Sequence, residues 1–118
     1  MTMAILPKLR SIGTNLTAGV DNTVYTCPAN HTAKIVLVFV ANETSGNKTI
    51  HLDWYDSSVP ETYTLIGGYT ISGYSYLTLD QSYLILNAGD TFIVRPEAGS
   101  TMSATVTVEE YFDPANKE

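Results

Sequence analysis

Ala33-Lys34-Ile35-Val36-Leu37-Val38-Phe39-Val40-Ala41-Asn42 is the stretch on which the reading of the fold turns. Seven of its residues, Ile35 to Ala41, are apolar without a break, and four of the seven are β-branched. Branching at Cβ stiffens χ1 and suits a side chain to a pleated sheet. A strand with one wet face would alternate apolar and polar residues. Simple alternation here puts Ile35, Leu37, Phe39 and Ala41 on one side and Val36, Val38 and Val40 on the other. Both sides need cover. One can meet the domain's own core; the other calls for more of the chain or another subunit.

Downstream, the Gly-, Asn- and Ser-rich run Asn42 to Asn47 reads as a turn. Lys48 to Asp56 follows, with Ile50, Leu52 and Trp54 alternating against polar neighbours, a strand with one buried face. A hairpin between these two strands is the expected pairing. Glu61 to Ile66 and Tyr69 to Ile71 are strand-like pieces. Gly67-Gly68 between them suits a bulge or a close backbone approach. Further strands are expected at Tyr74 to Leu79, Tyr83 to Leu86 and Thr91 to Arg95, the last preceded by the tight turn Asn87-Ala88-Gly89-Asp90. Met102, Ala104, Val106 and Val108 alternate with Ser103, Thr105, Thr107 and Glu109 in the clearest strand of all.

Upstream, Thr23 to Cys27 is a short strand closed by Pro28. Residues 1–14 contain Pro7, apolar Ile5 and Leu6, and basic Lys8 and Arg10, and they lack alternation. They are expected to form an N-terminal arm lying on a neighbour, ahead of a β domain over residues 15–118. About eight strands at near-regular spacing, with no helical period, predict an all-β antiparallel sandwich of jelly-roll type.

The chain of 118 residues fits one domain. Charged residues make up 15%, below the about 25% usual for soluble domains, which fits a surface partly covered by neighbours. A net charge of −6 with six scattered basic residues argues against a nucleic-acid partner. Cys27 is the only cysteine, so no internal disulfide forms and folding in a reducing cytoplasm is open to the chain. No secretory signal is evident at the start, and no apolar run approaches the roughly 20 residues of a membrane helix, so no membrane partner is expected.

Candidate chemistry is thin. His31, His51, Asp53, Asp56, Asp80 and Asp90 are the residues from which a metal site would have to come. His51 and Asp53 share a strand face, but polar residues on the wet face of a half-buried strand explain that spacing better than ligands do. Cys27 lies four residues before His31, and no third group is visible to orient a nucleophile. Neither a cofactor nor an enzymatic activity is expected. Tyrosine is the compositional excess: five of the eight, including Tyr63, Tyr69, Tyr74 and Tyr76, lie between residues 63 and 83. A rigid apolar ring with a hydrogen-bonding tip suits interfaces and sugar platforms alike. The expected interface residues are Ile5, Leu6, Val36, Val38, Val40, Tyr63, Tyr69, Tyr74 and Tyr76.

The order Tyr25-Thr26-Cys27-Pro28-Ala29-Asn30, the apolar strand ending in Ala41-Asn42, the Trp54 strand, Leu86-Asn87-Ala88-Gly89-Asp90-Thr91, and the last strand reaching Val108-Glu109-Glu110-Tyr111 resembles small β-sandwich virion proteins encoded by tailed bacteriophages. The resemblance covers roughly residues 23–112 and is one of pattern. It implies a structural protein folded in the host cytoplasm and resident in the virion: a capsid decoration (cement) subunit, or a tail, neck or fibre component. The partners so implied are further copies of the chain, as a homo-oligomer such as a trimer, and the major capsid or tail proteins. The competing reading is a carbohydrate-binding module for host-surface recognition, with a glycan on exposed aromatics. A cupin-like enzyme ranks last, because the chain has only two histidines.

Overall fold

The computed structural model describes residues 6–81 and 83–114. Nine strands follow one another: β1 (Lys8–Asn15), β2 (Asn22–Thr26), β3 (His31–Asn42), β4 (Lys48–Asp56), β5 (Glu61–Ile71), β6 (Tyr76–Leu79), β7 (Leu84–Asn87), β8 (Thr91–Pro96) and β9 (Met102–Phe112). They build two antiparallel sheets packed as a sandwich. The first has the order β1-β9-β3-β6, with β7 also on β3; the second has the order β2-β8-β4-β5. Successive strands alternate between the sheets through much of the chain, in the jelly-roll manner. Among the described residues no helix is long and apolar enough to cross a membrane.

β3 is the centre of the first sheet, flanked by β9 on one side and by β6 and β7 on the other. Its two faces do not follow simple alternation. Opposite β9, Ile35 pairs with Val108 and Leu37 with the next residue, Thr107, so Val36 is an inserted bulge residue. One extra residue reverses which way every later side chain points. Ala33 and Ile35 before the bulge, and Val38, Val40 and Asn42 after it, therefore all face inward and are buried. The expectation that Val38 and Val40 would meet a neighbouring subunit gives way: this chain covers both.

The expected hairpin between β3 and β4 is also replaced. β3 belongs to the first sheet, and β4 pairs with β5 and β8 in the second, so residues 43–47 carry the chain across the sandwich. Buried Asn42 anchors the crossing. Its Nδ2 donates to the carbonyls of Gly46, Ile71 and Ser72, and its Oδ1 accepts from Thr44 N–H at 2.9 Å. Gly73 packs so closely there that a Cβ would lie 2.1 Å from the Ser45 carbonyl oxygen.

Residues 8–14, expected as part of an arm, are not an arm. Lys8–Asn15 is the edge strand β1, paired along its whole length with β9 from Glu110 to Ser103. The glycine pair in β5 behaves as expected: Ile50 pairs with Tyr69 and His51 with Gly67, leaving Gly68 as a bulge at φ 83°. The core between the sheets contains Val40, Ile50, Leu52, Leu86, Val94, Val106 and Val108, all with 0% exposure. Each such side chain contributes roughly 1.5–3 kcal/mol on leaving water.

Candidate interaction surface

The inward positions of β9 alternate with outward Ser103, Thr105, Thr107 and Glu109. On neighbouring β1, Ser11 continues this polar surface, its hydroxyl 2.8 Å from Thr107 Oγ1. Across β3 the same outer face turns apolar. Leu37, Phe39 and Ala41 point outward and are half-buried. Phe39 stacks on Tyr76 of β6 with centroids 4.9 Å apart and planes 12° apart. Ile85 of β7 and Tyr83 beside it extend the patch, with the Lys34 ammonium 4.3 Å from the Tyr83 ring centroid. One face thus grades from mainly polar residues over β1 and β9, with exposed Leu9 at its edge, to rings and branched chains over β3, β6 and β7. Exposed Tyr76, Tyr83 and Ile85 beside half-buried Leu37 and Phe39 make this face the candidate contact surface.

The patch reaches a flank where the sandwich is incompletely closed. β7 pairs with β3 from Thr32 to Ile35, and β6 pairs with it from Val38 to Ala41. The two pieces share one strand's position, with Leu79 paired to Val38 and Leu84 to Ile35 on either side of the bulge in β3. An apolar cavity of about 190 Å³ lies there, lined by Ile35, Val38, Leu52 and Phe92 in its floor and by Leu65, Leu79, Tyr83 and Leu84. Leu65 on edge strand β5 is 45% exposed and Tyr83 is 65% exposed, so the wall is open to solvent. Tyr63 and Tyr69 lie along the same edge strand; Tyr63 is 5.4 Å from the Trp54 ring by centroids.

The opposite flank is closed by polar contacts. Tyr25 of β2 donates its hydroxyl to Glu110 Oε2 at 2.5 Å, and Arg10 of β1 meets Glu110 Oε1 at 3.2 Å. Glu110 is 7% exposed, and this chain of contacts joins the two sheets. Burial first, and then the bond to Glu110, push the Tyr25 hydroxyl well above the usual tyrosine range.

The residues named from sequence are therefore scattered. Leu6, Tyr63, Tyr69, Tyr74 and Tyr76 are exposed, Val36 occupies the bulge, Val38 and Val40 are in the core, and Ile5 lies outside the described residues. Sequence reasoning missed Leu37 and Phe39 as outward residues, because the bulge that turns them out has no sequence mark. It also missed Leu65 and Ile85, which sit on apolar runs that look like ordinary buried strands.

Asp90, Asp56 and Cys27 have structural duties, whereas Asp53 keeps one buried carboxylate oxygen without a hydrogen-bond partner among the described residues. Among the described residues, no three of His, Cys, Asp and Glu converge as a metal site. Fully buried Asp90 accepts from the N–H and hydroxyl of Ser57, from Asn87 N–H and from Trp54 Nε1–H, so it ties the turn before β8 to the end of β4. Asp56 accepts from the N–H and hydroxyl of Ser58 in a local turn. The Cys27 thiol is buried and faces the carbonyls of His31 and Leu86 at 3.4 and 3.6 Å. Burial, with Asp90 and Glu110 adding to it, pushes its pKa up to about 11, the reverse of an activated nucleophile.

No family model matches the chain, and no curated protein matches its sequence. Solved structures do share its fold. A chain of the Bacillus endospore appendages, which are disulfide-linked pili, superposes with a TM-score of 0.56 at 10% identity, over 94% of this chain and 92% of that one. A chain of the acid-stable capsid of Helicobacter pylori bacteriophage KHP30 gives 0.54 at 13%, over 93% and 90%. The globular domain of zebrafish complement 1qA gives 0.52 at 14%, over 85% and 94%. At these identities the likeness establishes the β-sandwich fold.

Proposed function

We propose that this chain is a non-enzymatic structural subunit of a bacteriophage-like virion, a capsid decoration (cement) protein or a tail, neck or fibre component, assembling with copies of itself and with other virion proteins. The observation that carries the reading is the apolar half of the first sheet's outer face: exposed Tyr76, Tyr83 and Ile85 stand beside half-buried Leu37 and Phe39. Large apolar groups on a regular sheet face suit a flat, repeated contact between subunits. A phage capsid chain and a pilus chain share this fold, which supports the proposal. A closed homo-oligomer is the expected form, such as a trimer with one such face per copy turned to a common axis.

Light scattering on the purified chain tests the reading directly. The wild type is expected to be a defined oligomer. Phe39→Asp places a carboxylate in the patch and is expected to give a monomer with unchanged circular dichroism. Labelled antibodies on intact particles then distinguish capsid from tail. A wild-type chain that is monomeric at high concentration and absent from particles would defeat the proposal.

A further inference from the structure

The half-open cavity between β5 and the β6–β7 break has no occupant within the described chain, and the sequence before β1 supplies a segment suited to it. Residues 1–6 read Met1-Thr2-Met3-Ala4-Ile5-Leu6, five apolar residues of six and none charged, ahead of Pro7. We propose that this segment of a neighbouring copy seats in the cavity, with its apolar side chains against Leu65, Leu79, Tyr83 and Leu84. The inference rests on the self-association proposed above and names the contact that links one copy to the next.

Three features support the match. The first is size and chemistry. A cavity of about 150 Å³ lined by aliphatic and aromatic groups takes up benzene, so about 190 Å³ accommodates one Leu, Ile or Met side chain. Its lining is apolar, as is the segment.

The second is the direction of the chain. β1 and β3 are both antiparallel to β9, so they run parallel to each other. Lys8 pairs with Glu110, Glu110 with Ala33, and Ala33 with Leu86, so all four lie in one row across the sheet. The cavity lies beside Ile35 and Val38, toward the C-terminal end of β3 from that row. Upstream of Lys8 the line of β1 runs the other way, off the end of the sheet. Leu6 is 81% exposed and gains nothing from its own sandwich. To reach its own cavity the segment would have to reverse and cross three strand spacings, roughly 14 Å. To reach another copy it has only to continue.

The third is reach and the state of the receiving edge. Seven residues before Lys8 span up to about 23 Å when extended, several times the depth of a single side-chain site. Of the strands assigned, β5 pairs only with β4, so its outer backbone edge is open to an added strand beside the cavity.

The test uses full chains in a Cys27→Ala background. One carries Leu6→Cys and the other Leu65→Cys; they are mixed, allowed to assemble and mildly oxidised. A disulfide-linked heterodimer is expected, and none when Leu6→Cys is mixed with Asp21→Cys on the far flank. Removing residues 1–6 is expected to weaken self-association on the order of ten- to a hundred-fold. Its thermal unfolding should not change at concentrations where both chains are monomeric, since β1 begins at Lys8. Oligomers that form normally but never cross-link at Leu65 overturn this seat while leaving self-association standing. A cross-link within one chain carrying both cysteines, under dilution, also overturns it, by placing the segment in its own cavity. A wild-type chain that is monomeric throughout overturns both readings. Should Leu65→Cys fold poorly, Leu79→Cys on the opposite wall replaces it with the same expected outcomes.

Discussion

Where β1 meets β2, the two sheets are joined by a chain of polar groups, from half-exposed Arg10 to buried Glu110 and Tyr25. Where β5 faces β6 and β7, they part around an apolar cavity whose rim is exposed. The same nine strands thus form one flank that is finished and one that is not. The difference lies in what each flank asks of its surroundings. A buried carboxylate with both oxygens engaged needs nothing from outside, and loses if a partner is removed. An exposed leucine rim gains whenever something apolar arrives. The finished flank fixes the fold, and the unfinished one is free to make contacts.

The largest effect should come from breaking the finished flank. Glu110→Ala strands the buried Tyr25 hydroxyl and frees Arg10. A loss of about 3 kcal/mol is expected, read as a lower denaturant midpoint with an unchanged slope. Half-exposed Arg10 is the weaker partner, and Arg10→Ala should cost less than half as much. If Glu110→Ala unfolds like the wild type, the polar bridge does not hold the sheets together.

Next in size is the response to alkali. Cys27 is raised from 9.0 to about 11, and Tyr25 is raised as well. Both are neutral groups held neutral by folding. The stability they contribute is complete below their ordinary ionisation range and is lost as pH rises through the folded values. Unfolding midpoints should be flat with respect to these groups up to about pH 8 and fall above about pH 9. Cys27 accounts for on the order of 2 kcal/mol of the fall by pH 11. Cys27→Ala should flatten the curve between those values, and an unaltered curve would show that the thiol ionises freely in the folded chain.

Much of the finished part of the molecule was legible in the sequence, and the unfinished part much less so. Lys48 to Asp56 and Met102 onward announce themselves by strict alternation, and both are strands, β4 and β9. β1 was hidden because one of its inward residues is Arg10, matched to a carboxylate a hundred positions away at Glu110. An apolar-pattern reading cannot recognise an inward charge whose partner is that distant. The sides of β3 were misassigned because a single inserted residue at Val36 reverses parity, and an unbroken apolar run conceals the insertion. The β3–β4 hairpin was inferred from proximity in sequence, whereas the jelly roll sends the chain across the sandwich, with Asn42 supplying the bonds that hold the crossing. The cavity depends on two irregularities meeting, a bulge and a broken strand, and neither has a composition of its own.

The smallest expected effect is the most informative about the open flank. Leu65 projects from the edge strand with 45% of its surface in water, on the rim of the cavity. Leu65→Ser therefore removes little buried area from an isolated chain, and its stability should change by about 0.5 kcal/mol or less. Val106→Ala, fully buried between the sheets, should cost about 2 kcal/mol in the same assay and calibrates it. Self-association, measured by sedimentation, should separate the two in the opposite order: Leu65→Ser weakens it and Val106→Ala leaves it intact among folded molecules. A Leu65→Ser loss as large as that of Val106→Ala would mean that the leucine already completes its own core. The rim would then be part of the finished structure, and the contrast between the two flanks would collapse.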